Sequence, residues 1–302
     1  MAAARNALTL MKSLYILACS LLVAASACGA DSPLAHPRAV TLGGMLHSDS
    51  DDTLAFTPDG DTVFFDRSRG KRKTIMIAHR VRGHWSAAKV ASFSGRWFDQ
   101  DPVIAPDGSY LLFDSDRPVR PGGQPLQQHY FVGGVGPGSN LWRVDRHDDH
   151  WGKPRWLSAR INSDVFVDFA SIAADNTLYF MLWDPQTKAM HILRSEYHEG
   201  SYAVPESAGI GTPSVSEHDP AVAPDQSFVV FDLGKTKGGL GRLCIAFREH
   251  GRWGKPIDLG AVVNKDLPWG SHLAPDGRSV YFTGQSGIWR LSLQPWLRGH
   301  AG

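Results

Sequence analysis

Hydrophobic and polar positions alternate along this chain in short runs, and the runs recur. "QDPVIAPDGSYLLFDSDR", residues 100 to 117, reads as a strand, a Pro-Asp-Gly turn and a second strand rich in large apolar side chains. Near copies stand at "HDPAVAPDQSFVVFD", residues 218 to 232, and at "SHLAPDGRSVYFTG", residues 271 to 284. With the turn as anchor, the series is Pro58-Asp59-Gly60, Pro106-Asp107-Gly108, a degenerate Ala173-Ala174-Asp175, Pro224-Asp225-Gln226 and Pro275-Asp276-Gly277, at intervals of 48, 67, 51 and 51 residues. Seven residues beyond each anchor stands Phe65, Phe113, Phe180, Phe231 or Phe282, inside "TVFFD", "YLLFD", "TLYFM", "FVVFD" or "SVYFT". Such β-branched and aromatic runs after a tight turn predict the second strand of a hairpin. Another hairpin with an aromatic at its turn follows in the first four units, at Gly83-His84-Trp85, His150-Trp151-Gly152, Gly200-Ser201-Tyr202 and Gly251-Arg252-Trp253. Each unit is therefore four antiparallel strands, and no helical pattern of useful length follows the leader.

A four-stranded sheet of that size cannot cover both its faces, whereas several packed face to face around an axis can, and that is a β-propeller. The fifth unit ends at "SGIWRLSLQPW" with no room for a full fourth strand. The segment "AVTLGGMLHSD" aligns with the ends of two other units, Leu42 with Leu157 and Leu259, and Asp49 with Asp164 and Asp266. Residues 39 to 43 are thus expected to close the ring as the outer strand of the last blade. The expected fold is an all-β, five-bladed propeller over residues 39–294, followed by a tail at 295–302. Six blades is the alternative if the 67-residue interval hides one.

Composition adds limits. At 302 residues, 42% hydrophobic and 20% charged, the chain has ample material for a core. Loss of Arg5 and Lys12 with a leader would bring its 31 basic residues to within one of its 30 acidic ones, which gives no reason to expect nucleic acid or an anionic membrane as partner. The leader is read from Lys12, the apolar stretch Leu14 to Ala27 and the small residues around Cys28, with Met11 as an alternative start. Residues 1–27 are expected to be a signal peptide and 28–38 a linker. The segment ending at Cys28 resembles a lipobox, so the expectation is an exported protein, periplasmic or an outer-membrane lipoprotein carried by a lipid on Cys28. Cys244 lies in the strand pattern "RLCIAF" and reads as a buried inert thiol.

The Asp-x-x-x-x-Pro-Asp-Gly turn, the Phe seven residues on and the Gly-x-Trp-x-x-Pro-x-x-Leu of Gly251 to Leu259 resemble the WD40-like (PD40) repeats of the TolB-type β-propeller family of exported bacterial proteins. The resemblance spans residues 39–294. It implies a propeller, and functions that range from protein interaction to peptidase lids, lyases and glycosidases, so the site must decide.

Antiparallel topology places the start of each first strand and the loop between second and third strands on one face. Asp101, Asp168 and Asp219 stand five residues ahead of their anchors and Asp52 six, while the fifth unit has Trp269-Gly270-Ser271-His272 there. These carboxylates are expected near the mouth of the central channel, with His218, Trp269 and His272 close by. The same face receives the basic run "DRSRGKRK" at 66–73, read as a solvated hairpin, and the Gly/Pro-rich insert 118–138, expected to be a flexible flap with Tyr130 and Phe131 at its middle. Three duties are open to the Asp ring: bonding backbone amides, holding Ca²⁺ through converging oxygens, or acid–base catalysis. "RHDDH", residues 146–150, falls in a hairpin expected to be solvated. The expected function is noncatalytic binding of a protein or glycan by a monomer, with no obligatory cofactor, through Asp52, Asp101, Asp168, Asp219, Trp269, His272, Tyr130 and Phe131. The alternative is a carbohydrate-active hydrolase or lyase using Asp101, Asp168, Asp219, His218 and His272.

Overall fold

The computed structural model describes residues 35–129, 134–212, 214–235 and 239–300, and in them five antiparallel sheets form a five-bladed β-propeller. Blade one runs Asp51–Phe56, Thr62–Arg69, Arg72–Val81 and Lys89–Val90. Blade two runs Asp99–Ile104, Tyr110–Ser115, Asn140–His147 and Arg155–Trp156. Blade three comprises Val167–Ile172, Leu178–Asp184, Ala189–Ser195 and Glu206–Ser207. Blade four comprises Glu217–Val222, Phe228–Lys235, Gly239–Glu249 and Ile257–Asp258. Blade five supplies three strands, Trp269–Leu273, Ser279–Gly284 and Gly287–Ser292.

Its fourth strand comes from the other end of the domain. Arg38 and Ala39 pair with Arg290 and Trp289, and the Val40 N–H donates to the Ile288 carbonyl at 2.9 Å. This strand lies one residue earlier than expected and is shorter. Gly43 and Gly44 adopt φ of 70° and 85°, open to glycine, and the chain turns through Leu42–Gly44 instead of extending to residue 43.

The core explains the Phe column. Successive residues of a strand point to opposite sheet faces, so each second strand feeds two interfaces. Phe65, Phe113, Phe180, Phe231 and Phe282 each pack toward the preceding blade, and their neighbours Phe64, Leu112, Tyr179, Val230 and Tyr281 toward the following one. Five interblade clusters result, and each sheet buries on its neighbours what it cannot bury alone. Trp296, just beyond blade five, is buried in the cluster between blades four and five.

No sixth blade occupies the 67-residue interval; the insert carries a small hairpin, Gln127–His129 against Val135–Pro137. In its described residues the insert is therefore more structured than a flexible flap. Arg117 pins its start, reaching Asp99 at 2.7 Å and the Phe93 carbonyl at 3.2 Å while lying over the rings of Phe113 and Trp142. At its end Gly138 passes so close that a Cβ there would meet the Leu126 side chain and the Val165 carbonyl, each at 2.8 Å. Among the described residues, no helix is long and apolar enough to cross a membrane.

Candidate functional site

Backbone bonds correct the repeat register in blade three. The bond closing the first turn joins residues five apart in four blades, as in Ala105 to Tyr110, but joins Ala173 to Thr177 in blade three. Its turn is one residue short, so Ala174 is the true equivalent of Pro106. Asp168 therefore aligns with Asp52, and Asp101 with Asp219.

This register exposes a shared irregularity. The ladder between first and second strands breaks at Asp52/Leu54, Gln100/Val103, Asp168/Ser171, His218/Ala221 and Trp269/His272. The residue at each break is left-handed: Thr53, Asp101, Phe169, Asp219 and Gly270, with φ between 45° and 63°. Four of the five are not glycine, and such conformations persist only where the surroundings over-determine them. A bulge of this kind re-aims side chains and frees a backbone N–H.

Three of the freed N–H groups are caught from the preceding blade by the residue that follows the Phe column. Asp114 Oδ2 accepts from Phe169 N–H at 2.8 Å, Met181 Sδ from Asp219 N–H at 3.0 Å and Thr283 Oγ1 from Thr53 N–H at 3.3 Å. Asp219 Oδ2 itself accepts from Gly270 N–H at 2.7 Å. Amide bonding between blades is thus shared by Asp219 and Asp114. Asp114 belongs to a second acidic column with Asp66 and Asp232, which stands in the "FFD", "LFD" and "VFD" motifs but was not among the residues read as site candidates.

The two columns converge at the mouth with one ammonium between them. Lys73 Nζ lies 2.6 Å from Asp66 and 3.3 Å from Asp52. Burial opposes its charge, yet Asp66, Asp101 and Asp52 together hold it protonated, with its pKa raised. Burial raises Asp52 despite Lys73. Burial also holds Asp101 well above the carboxylate range, Lys73 opposing and Asp66, Asp168 and Asp219 adding to the effect. Asp114 is likewise raised by burial and by Asp168. Burial lifts Asp219 to about 6 and Asp232 to about 8. His218 and His272 are pushed down to about 4 by burial, so both stay neutral near pH 7.

Asp101, Asp114 and Asp168 each present a carboxylate oxygen within 4.8 Å of the others. Asp168 is steadied by Gln100 at 3.3 Å and Ser139 at 3.0 Å, and these two also line a cavity of about 100 Å³ under the insert, with Gln128 and Pro137. The other end of the channel differs. There about 150 Å³ is lined by all five first strands, with Ala55, Val103, Ile172, Val222 and Leu273, and by the turn prolines Pro58, Pro106, Pro224 and Pro275.

Of the expected site residues, Asp52, Asp101, Asp168 and Asp219 do gather at the mouth. His218 is partly buried beside Asp168. His272 is buried against the Phe169 ring at 5.0 Å and lines the apolar end, its Nε2 without a hydrogen-bond partner among the described residues. Trp269 is 36% exposed. Tyr130, Phe131 and Cys28, with the leader, lie outside the described residues. Cys244 is buried, and His147 and His150 form an exposed hairpin end.

No protein-family model matches the chain, and no curated protein does. Solved structures similar to it include TolB from Acinetobacter baumannii, 12% identical over 82% of this chain and 56% of that one, with a TM-score of 0.49. This chain therefore spans little more than half of that protein's length. A putative TolB from Agrobacterium tumefaciens is 14% identical, over 79% and 71%, at 0.49. A gluconolactonase from Xanthomonas campestris is 13% identical, over 91% and 99%, at 0.47.

Proposed function

We propose that this chain is a noncatalytic binding propeller of the cell envelope, engaging a protein or glycan through the face on which the first strands begin. One observation carries the reading. Of the seven exposed large hydrophobic residues among those described, four sit on the loops of this face: Val119 and Val135 in the insert, Val165 before blade three and Trp269 at the start of blade five. Apolar groups gathered on one loop face, around a polar centre, have the composition of an interaction site. The structured hairpin of the insert gives that face a fixed edge, and rigid scaffolds with variable loops suit recognition. The envelope location is supported by the leader pattern that ends at Cys28.

Binding of envelope-extract proteins and of a glycan array to the purified chain, compared with Trp269→Ala combined with Val135→Asp, tests it. Loss of a specific captured species in the double variant is expected. Unchanged capture, or capture lost instead with Val81→Asp and Val204→Asp, places the interaction on another surface.

A further inference from the structure

We propose that Asp101, Asp114 and Asp168 form a binding site for one hard divalent cation, of the calcium class, at the floor of the channel mouth. Its donors are carboxylate oxygens, the ligands that hard ions take in preference to nitrogen or sulfur. Oxygens each about 2.4 Å from one ion can stand at most about 4.8 Å apart, since twice the ion–oxygen distance is the limit. The three carboxylates meet that condition, coming from the first strand of blade two, its second strand and the first strand of blade three.

The second observation concerns Asp114 alone. The residue is fully buried, its Oδ2 is satisfied by the Phe169 N–H, and among the described residues its Oδ1 has no donor, the carboxyl lying against that of Asp168. A buried carboxylate oxygen without a donor costs more than a neutral group left unpaired, and it asks for a ligand. A cation bridging Asp114 to Asp101 and Asp168 supplies one. The amide of Gln100 and the hydroxyl of Ser139 fix Asp168 from outside the trio, as supporting groups around metal ligands do. The adjoining cavity of about 100 Å³ has room for water to complete the coordination. Lys73 lies against Asp66 and Asp52, leaving this trio without a salt bridge among the described residues. The site is independent of the partner surface proposed above, and either can fail without the other.

Calorimetric titration of calcium into the EDTA-treated full chain tests the proposal. One ion per chain is expected, with a higher melting temperature. Asp114→Asn and Asp168→Asn should each weaken binding about tenfold or more, and Asp276→Asn, at the opposite face, should leave it within about twofold. Circular dichroism in EDTA checks that each variant is folded, and Asp101→Asn reads the same loss if either is not. No heat and no melting shift with calcium, magnesium or manganese up to about 5 mM, beyond the weak end of calcium sites, would overturn the site. So would binding unchanged in folded Asp114→Asn and Asp168→Asn, or a preference for zinc.

Discussion

The two ends of the first strand carry the same residue type and put it to opposite use. At the turn end, Asp59, Asp107, Asp175, Asp225 and Asp276 each accept the backbone N–H two residues on, at 2.9–3.0 Å. Hydroxyls add a second bond in four of them and the Gln226 amide in Asp175, and Asp59 and Asp107 are held below the usual carboxylate range chiefly by Thr57 and Ser109. At the mouth end, Asp101, Asp114 and Asp219 are raised, first by burial and then by nearby carboxylates, with Asp168 acting on all three. The turn acids stabilise the hairpin that displays them; the mouth acids are held together against their mutual repulsion.

Removing the Lys73 ammonium should sharpen that contrast most. Lys73→Met leaves Asp66 fully buried without a counter-ion, and breaking a buried pair from one side costs about 3–5 kcal/mol. Urea unfolding at neutral pH should show the loss, and the deficit should shrink on acidification as the mouth carboxylates take up protons. An equal loss at every pH would assign Lys73 a packing role only.

A middle-sized effect is expected at the column just before the bulge. Asp51 is paired with Arg67 and Asp99 with Arg117, whereas Glu217 has a 3.3 Å bond from the Ile192 N–H and no salt bridge among the described residues. Burial lifts Glu217 to about 8 from an ordinary 4.5. A raised carboxyl pKa means that the folded chain holds the proton more tightly than the unfolded one. Its contribution is full below about 4.5 and is lost as pH rises through about 8. Glu217→Gln should flatten the fall of stability across that window, a slope of at most about 1.4 kcal/mol per pH unit, and be the more stable protein above it. Parallel melting curves for both proteins from pH 5 to pH 9 would contradict this.

The smallest effect belongs to the turns. Asp225→Ala removes bonds to the N–H and hydroxyl of Ser227 in an exposed loop, and urea unfolding should show a cost of about 1 kcal/mol. A larger loss would mean that the turn acids carry more than their own hairpins.

The blade count, the closing strand and the mouth face were legible because each rests on a repeated spacing. Asp168 was placed one residue out of register because the Pro-Asp-Gly turn served as ruler, and blade three's turn is one residue short. Lys73 was hidden in "DRSRGKRK", where a run of basic residues suggests solvent. Strand parity could have found it: Lys73 pairs with Ser68, which shares a sheet face with Asp66. Asp66, Asp114 and Asp232 stood in the motifs used to find the strands. The role of Asp114 follows only once the bulge shows which neighbouring N–H group needs an acceptor, and no count along one blade reveals a bond to the next.

Thermal unfolding of Asp101→Asn against the parent protein, both stripped of metal in EDTA at neutral pH, weighs the central claim most directly. If the mouth carboxylates are kept at the expense of the fold, Asn removes the cost of burying an acid among other carboxylates, and the variant is the more stable by about 1 kcal/mol. A loss of about 1 kcal/mol or more would make Asp101 a structural pin like its counterparts at the turns, and the division between the two ends of the strand would not stand.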